Sequence, residues 1–281
     1  MNYRSLLVFL DQDRRLGARI AFALRVARAL QCHLVGAAPT GLFALPTAIA
    51  PEAAASLAEF AELAWNALRQ QAQEVVDRFD AACRKDGIHS YETVIDEADA
   101  ATSLVRFAHC SDIVLLSQAD PDDPMYQRTQ HIVEQVVLRS ARPTLLLPYT
   151  GNFDTVASRV LVAWDDSREA ARAIWDALPL LCAAERVQVV SWQAGDVDPS
   201  VLASRLDALK RWLMWHGVTA ESKIATREIG IAEAMLSHAA DFAADLIVMG
   251  AYGHARWTEH ILGGATRGML SAMTVPVLMS H

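Results

Sequence analysis

With 281 residues, 53% of them hydrophobic, a formal charge of -8 and an isoelectric point near 5.6, the chain has the length of one large or two ordinary domains. Its acidity offers nothing to draw it to nucleic acid or to an anionic membrane surface. The first apolar run, Leu6 to Leu10, stops at Asp11 and is too short for the core of a signal peptide; the Ala-rich stretch at 42–65 is broken by Pro46, Pro51, Glu52, Glu59 and Glu62, short of the roughly 20 apolar residues that span a bilayer. These features predict a cytoplasmic protein with neither nucleic acid nor membrane as partner. Cys32, Cys83, Cys110 and Cys182 are widely spaced in apolar or amphipathic contexts, which predicts buried reduced thiols.

In chain order the elements repeat. LLVFLDQDRRLGARIAFAL, from Leu6 to Leu24, aligns without a gap on VLVAWDDSREAARAIWDAL, from Val160 to Leu178, at a constant offset (165 − 11 = 154). Farther on, SDIVLLS ending at Ser117 aligns on ADLIVMG ending at Gly250, and RPTLLLP around Pro143 on VPVLMSH around Pro276, at a shorter offset (250 − 117 = 133). The difference places extra residues in the first copy, at about 38–60, ahead of or within a long helix. The polar segment 149–158 predicts a boundary, giving domains at 1–150 and 156–281.

In the second copy RVLVAW reads as a strand buried on both faces and SREAARAIWDALPLLC as a capped helix. Then follow the strand VQVVSW, an amphipathic helix from Pro199 to Gly217, the strand ESKIATRE, the helix IAEAMLSHAADFAA, the strand DLIVMG, the helix ATRGMLSAM and the strand VPVLMS. Such alternation predicts an α/β fold: two tandem doubly wound, Rossmann-like domains, each with a five-stranded mainly parallel sheet. The terminal strands TLLLP and PVLMS would pair or pack into an internal pseudo-dimer, able to dimerise again.

Five of the thirteen glycines fall between residues 245 and 271. Gly250 closes a strand, Gly253 follows three residues later, and Gly263 and Gly264 precede a helix start. In open α/β sheets ligands bind beyond the carboxyl ends of the strands, where glycine lets backbone N–H groups approach an anion closely. The spacing, G-x-x-G-x9-G-G, is neither that of a P-loop nor the G-x-G-x-x-G of a dinucleotide fold. Together with VLVAWDDS near Asp165 and the closing VPVLM, it resembles the universal stress protein family in its nucleotide-binding form, whose motif is G-x-x-G-x9-G followed by Ser or Thr. The resemblance covers the second half throughout and the first half more weakly.

It implies an adenine nucleotide, ATP or AMP, with Mg²⁺ accompanying ATP. Carried over by position, Asp165 meets the adenine with Ala163, Trp164 and Trp192 beside it; Met249, Gly250 and Gly253 line the ribose and first phosphate; Gly263, Gly264, Ala265 and Thr266 hold the remaining phosphates. Gly264 stands where the family has Ser or Thr, and Trp164 replaces a smaller residue, either stacking on the base or narrowing the pocket. In the first half the counterparts of Gly250, Gly253, Gly263 and Gly264 are Ser117, Asp120, Gln130 and His131. Each adds a side chain, and a carboxylate about 4 Å from a phosphate costs on the order of 4 kcal/mol at an effective dielectric near 20.

Plainer readings stand beside these. Asp165 survives as Asp11 in the first half, so it serves either the fold or a ligand; Asp166 or Ser167 caps the following helix, Asp166 having capping-box spacing to Glu169. His254, Glu259 and His260 lack the helical pairing of a zinc site. Arg256 and Arg267 face either phosphate or solvent, and Trp212 and Trp215 read as packing residues. No nucleophile elbow, general base or Ser-Gly-Gly-x-Asp-Ser loop is present, so hydrolase and adenylating chemistry have no local support. The sequence reading is a stress-response regulatory protein with one nucleotide site in its second half, at most a slow ATPase, acting on an unidentified protein partner. Its rival is an interaction module of the same fold with an empty or AMP-retaining site.

Overall fold

The computed structural model describes residues 2–41, 51–192, 198–226, 229–253 and 264–281. Strands β1 (Ser5–Phe9), β2 (His33–Pro39), β3 (Tyr91–Asp96), β4 (Ile113–Ser117) and β5 (Thr144–Leu147) alternate with helices α1 (Leu16–Leu30), α2 (Pro51–Lys85), α3 (Ala100–Ala108) and α4 (Tyr126–Arg139). The second half repeats the plan with β6 (Arg159–Ala163), β7 (Arg186–Trp192), β8 (Ala220–Ala225), β9 (Leu246–Gly250) and β10 (Val277–Ser280). Its helices are α5 (Arg168–Ala183), α6 (Pro199–Trp215), α7 (Ile231–Phe242) and α8 (Gly264–Ala272).

The strands form one ten-stranded sheet in the order β3-β2-β1-β4-β5-β10-β9-β6-β7-β8. Every neighbouring pair is parallel except β5 and β10, which run antiparallel with Leu146 opposite Val277. The two terminal strands expected to meet therefore do so, and both are buried along their whole length. Gln118, 2% exposed, fastens this seam: its Nε2 donates to the Leu270 carbonyl of the other half at 3.0 Å, and its Oε1 accepts from Tyr149 N at 3.2 Å.

Alternation along each strand divides the core between two faces. Leu6 and Val8 pack in one apolar layer with α1, α2, α5 and α6, whereas Leu7 and Phe9 pack in the other with α3, α4, α7 and α8. The free edges, β3 and β8, are half exposed and carry Glu92, Glu221 and Lys223, charges that oppose strand addition. The excess length of the first half lies at α2, 35 residues against 17 for α6, while 42–50 lies outside the described residues. Among the described residues no helix is long and apolar enough to cross a membrane.

Two expectations need correction. Cys32 and Cys83 are buried free thiols, but Cys110 and Cys182, near helix ends, are exposed. Trp212 packs against the core beside Trp175 and His216, whereas Trp215 is 75% exposed because it falls on the outward face of the last turn of α6.

Asp99 caps α3, accepting from Thr102 N at 3.1 Å, and these bonds hold its carboxyl below the usual carboxylate range. Asp99→Ala is expected to cost about 1 kcal/mol at neutral pH. Because the folded-state pKa is depressed, that contribution is present above the unfolded carboxylate value and fades as pH falls through the folded one. Urea denaturation of both proteins at pH 7 and pH 2.5 checks this: the gap in midpoints should narrow in acid.

Candidate functional site

Beyond Ala163 at the end of β6 the chain turns through Trp164, Asp165 and Asp166, the last with φ of +63°, before α5 begins. Asp165 Oδ1 accepts from Ser167 N at 3.1 Å and from Ser167 Oγ at 2.6 Å, and Ser167 Oγ in turn accepts from Ala170 N at 3.1 Å. Ser167 is thus the cap of α5. The Asp166 to Glu169 box does not form: Asp166 pairs with Arg205 at 2.8 Å, and Glu169, 3% exposed, turns inward with its carboxylate on Arg168.

Glu169 sits against the end of β9. A Cβ on Gly250 would lie 2.6 Å from both Ala170 N and Glu169 C, and one on Gly253 would lie 2.9 Å from Glu169 Oε2. Between these glycines, Ala251 N donates to Ser280 O at 2.8 Å, and Tyr252, at φ +58°, donates its N–H to Thr266 Oγ1 at 3.0 Å. Thr266, 3% exposed in the first turn of α8, ties that helix to the strand end. Its hydroxyl therefore has a partner within the protein while keeping a proton to donate.

These segments enclose a cavity of about 290 Å³. Ala163 at the end of β6 with Trp164 and Asp165 of the turn after it, Trp192 of β7, Met249 and Gly250 of β9 with Gly253 beyond it, and Gly264, Ala265 and Thr266 of α8 line it. The structure thus brings together every described residue of the sequence-derived set. Gly263 lies outside the described residues, as do His254, Arg256, Glu259 and His260. Sequence reading missed Ile231 and Met235 of α7, which complete the apolar wall, and Glu169 and Tyr252. Helical periodicity marks the first pair only as core, and an acidic residue in a first helical turn reads as a dipole partner rather than a buried group.

Two buried polar atoms of the lining have no partner among the described residues: the Trp164 indole nitrogen and the Tyr252 hydroxyl, whose pKa burial drives upward. Each needs a ligand or water atom to satisfy it. Trp192 is fixed edge-to-face on His238, which bonds Gln188 Oε1 at 2.7 Å and whose burial lowers its pKa.

The first turns of α5 and α8 both line the cavity, through Ser167, Glu169 and Ala170 and through Gly264, Ala265 and Thr266. The positive ends of two helix dipoles thus favour an anion at this place. Glu169 opposes them, its charge offset by Arg168. Among the described residues no cluster of three His, Cys, Asp or Glu could hold a metal ion. Any Mg²⁺ would depend on ligand oxygens and water.

Residues 157–281 match the Universal stress protein family. The C-terminal part of the chain is a universal stress protein domain. A universal stress protein of Synechocystis is 28% identical over 148 residues, 52% of this chain and 49% of its own length, so the chain spans about half of that relative. The crystal structure of a universal stress protein from Archaeoglobus fulgidus superimposes with a TM-score of 0.74 at 16% identity, covering 99% of this chain and 96% of that one. A functionally unknown protein from Pseudomonas aeruginosa PAO1 gives 0.61 at 16% identity, covering 99% and 92%. These likenesses show a shared α/β fold along nearly the entire chain, first half included.

The first half departs from the universal stress protein domain where the glycines are lost. Asp11 repeats the turn of Asp165, accepting from Asp13 N at 3.3 Å, so this aspartate serves the fold in both halves. Arg19, 1% exposed, then occupies the space beside it: one nitrogen pairs with Asp11, another donates to Ser117 Oγ at 3.0 Å, and the guanidinium lies 5.4 Å from the Phe9 ring. Asp120, counterpart of Gly253, is buried and paired with Arg14. Its charge is compensated, so the place is filled rather than made repulsive. Helix α4 already begins at Tyr126, which puts Gln130 and His131 inside it; their N–H groups lie past the free ones of the first turn.

Proposed function

We propose that the chain is a stress-response regulatory protein that binds one adenine nucleotide, ATP or AMP, in a C-terminal domain spanning 156–281, with 1–150 a second domain of the same fold that has lost the site. The observation that carries this reading is the convergence of two helix N-termini on one cavity whose lining includes the Trp164 indole N–H, without a partner among the described residues. Trp164 and Trp192 lie where a base would stack, worth about 1 to 3 kcal/mol. On this reading Gly250, Gly253, Gly264, Ala265 and Thr266 would hold the phosphates, with Mg²⁺ travelling with ATP on phosphate oxygens. The protein acts in the cytoplasm by binding rather than catalysis, and its internal pair of domains dimerises again.

Nucleotides released on denaturing the purified protein, identified by mass spectrometry, test the reading alongside ATP titration. Gly264→Asp is the informative variant, because among the described residues a Cβ there meets nothing within 4 Å. It is expected to weaken ATP binding at least tenfold, about 1.4 kcal/mol, through the added carboxylate. Absence of ATP, ADP or AMP, with no measurable ATP affinity, would overturn the proposal.

A further inference from the structure

We infer that two copies of the chain associate through their helices, α2 of each seated on α6 of the other. Among the described residues the four most exposed large apolar side chains form two pairs: Phe60 and Leu63 on α2, 66% and 65% exposed, and Met214 and Trp215 on α6, 62% and 75% exposed. Removing such surface from water is what drives stable association. The two helices are counterparts in the repeat and pack in the same layer, over one face of the sheet. A two-fold axis between copies forms the α2 to α6 contact twice, because each residue pair is met again with the roles exchanged.

The two surfaces differ in charge, which is why each fits the other rather than itself. From 58 to 68 α2 carries Glu59 and Glu62 and no cation; from 208 to 215 α6 carries Lys210 and Arg211 and no carboxylate. Among the described residues Glu59, Glu62 and Arg211 have no ion pair, and Lys210 approaches Asp207 only at 4.0 Å. Opposite charges beside the apolar pairs steer α2 to α6, and like charges oppose α2 on α2 or α6 on α6. A hollow of about 280 Å³ beside Met214 is lined by Lys210, Arg211, Val218 and Thr219. The Phe60 ring suits it, apolar toward Met214 and Val218 and attractive through its face to the two cations.

The sheet offers no rival route. β5 and β10 are taken up in the internal seam, and the free edges β3 and β8 carry Glu92, Glu221 and Lys223, which oppose strand addition. Stable interfaces bury roughly 1,200–2,000 Å², and two-fold symmetry doubles what one helix pair contributes toward that area. The excess length of α2 over α6 gains a purpose here, since Phe60 and Leu63 fall in its N-terminal turns, ahead of the Ala72, Val75 and Phe79 that fix it to the core. The inference rests on the reading that the paired domains dimerise again, and not on the nucleotide.

The test is sedimentation equilibrium of the full-length chain over a range of protein concentrations. Wild type, 30.7 kDa per chain, should reach twice that mass and stop there. Glu59→Lys with Glu62→Lys, or Lys210→Glu with Arg211→Glu, should each raise the dissociation constant about tenfold or more. All four substitutions in one chain should restore it to within about threefold of wild type, a recovery that damaged folding could not produce. Trp215→Ser should weaken association about tenfold or more, with circular dichroism showing every variant folded. A dimer indifferent to these changes, or one the fourfold reversal does not recover, overturns this surface and leaves dimerisation standing. A mass that keeps rising with concentration overturns the closed two-fold. A monomeric wild type, leaving both surfaces to another segment of the chain or to a different protein, overturns the inference together with the reading that the domains dimerise.

Discussion

Replacing Arg19 by methionine is expected to lower the stability of the protein by about 3 kcal/mol, a large fraction of what a typical domain possesses. The guanidinium is 1% exposed and joins Asp11, Ser117 and the face of Phe9, tying the turn after β1 to the end of the neighbouring strand β4. Methionine replaces the volume but leaves the Asp11 carboxylate, already pushed toward protonation by burial, without its cation. The figure is the lower end of the range for breaking a buried pair, because Asp11 keeps 23% of its side chain exposed. Arg19→Met combined with Asp11→Asn should recover at least about 1 kcal/mol, since the amide keeps the turn to Asp13 and removes the orphaned charge. Urea denaturation of the four proteins in this cycle decides it, and a single-variant loss below about 1 kcal/mol would mean the pair is not a structural fastener.

Gly250→Ala is the second large effect, expected to cost about 1 to 3 kcal/mol or more. The added methyl would stand 2.6 Å from two backbone atoms of α5, which cannot rotate away as a side chain end could. Helix α5 and β9 would have to separate, opening the turn that carries Asp165, Ser167 and Trp164. Gly264→Ala meets no atom within 4 Å among the described residues and should change stability by no more than about 0.5 kcal/mol. Thermal melting of the two alanine variants side by side gives a simple reading: equal losses would show that contact with α5 does not explain Gly250.

That contrast divides the glycine-rich motif between two causes. Gly250 is required by helix packing before any ligand is considered, whereas none of the described residues makes such a demand of Gly264. Spacing alone made the two look alike.

The repeat was legible because its offsets are carried by buried apolar strands, which tolerate few patterns. β1 and β6 lie 154 positions apart (159 − 5 = 154) and β5 and β10 lie 133 apart (277 − 144 = 133), as the alignment of the sequence with itself implies. The residues of the second-half cavity were legible for the same reason, since they follow strand ends directly. Arg19 was not. It stands eight residues from Asp11 within an apolar helix, and nothing local distinguishes an arginine that turns inward from one that reaches solvent. The early start of α4 was hidden likewise, because YQRTQ has no apolar period, and the role of Glu169 depends on contacts between segments distant in the chain.

The seam between β5 and β10 bears on how the two halves could diverge. Two separate identical subunits would carry identical sites and would part on dilution. Joined in one polypeptide, the partners meet at an effective concentration set by the connection rather than by the amount of protein present. Arg19 could therefore fill one place while its counterpart Ala173 leaves the other open, with the ratio of filled to open places held at one to one at every protein concentration.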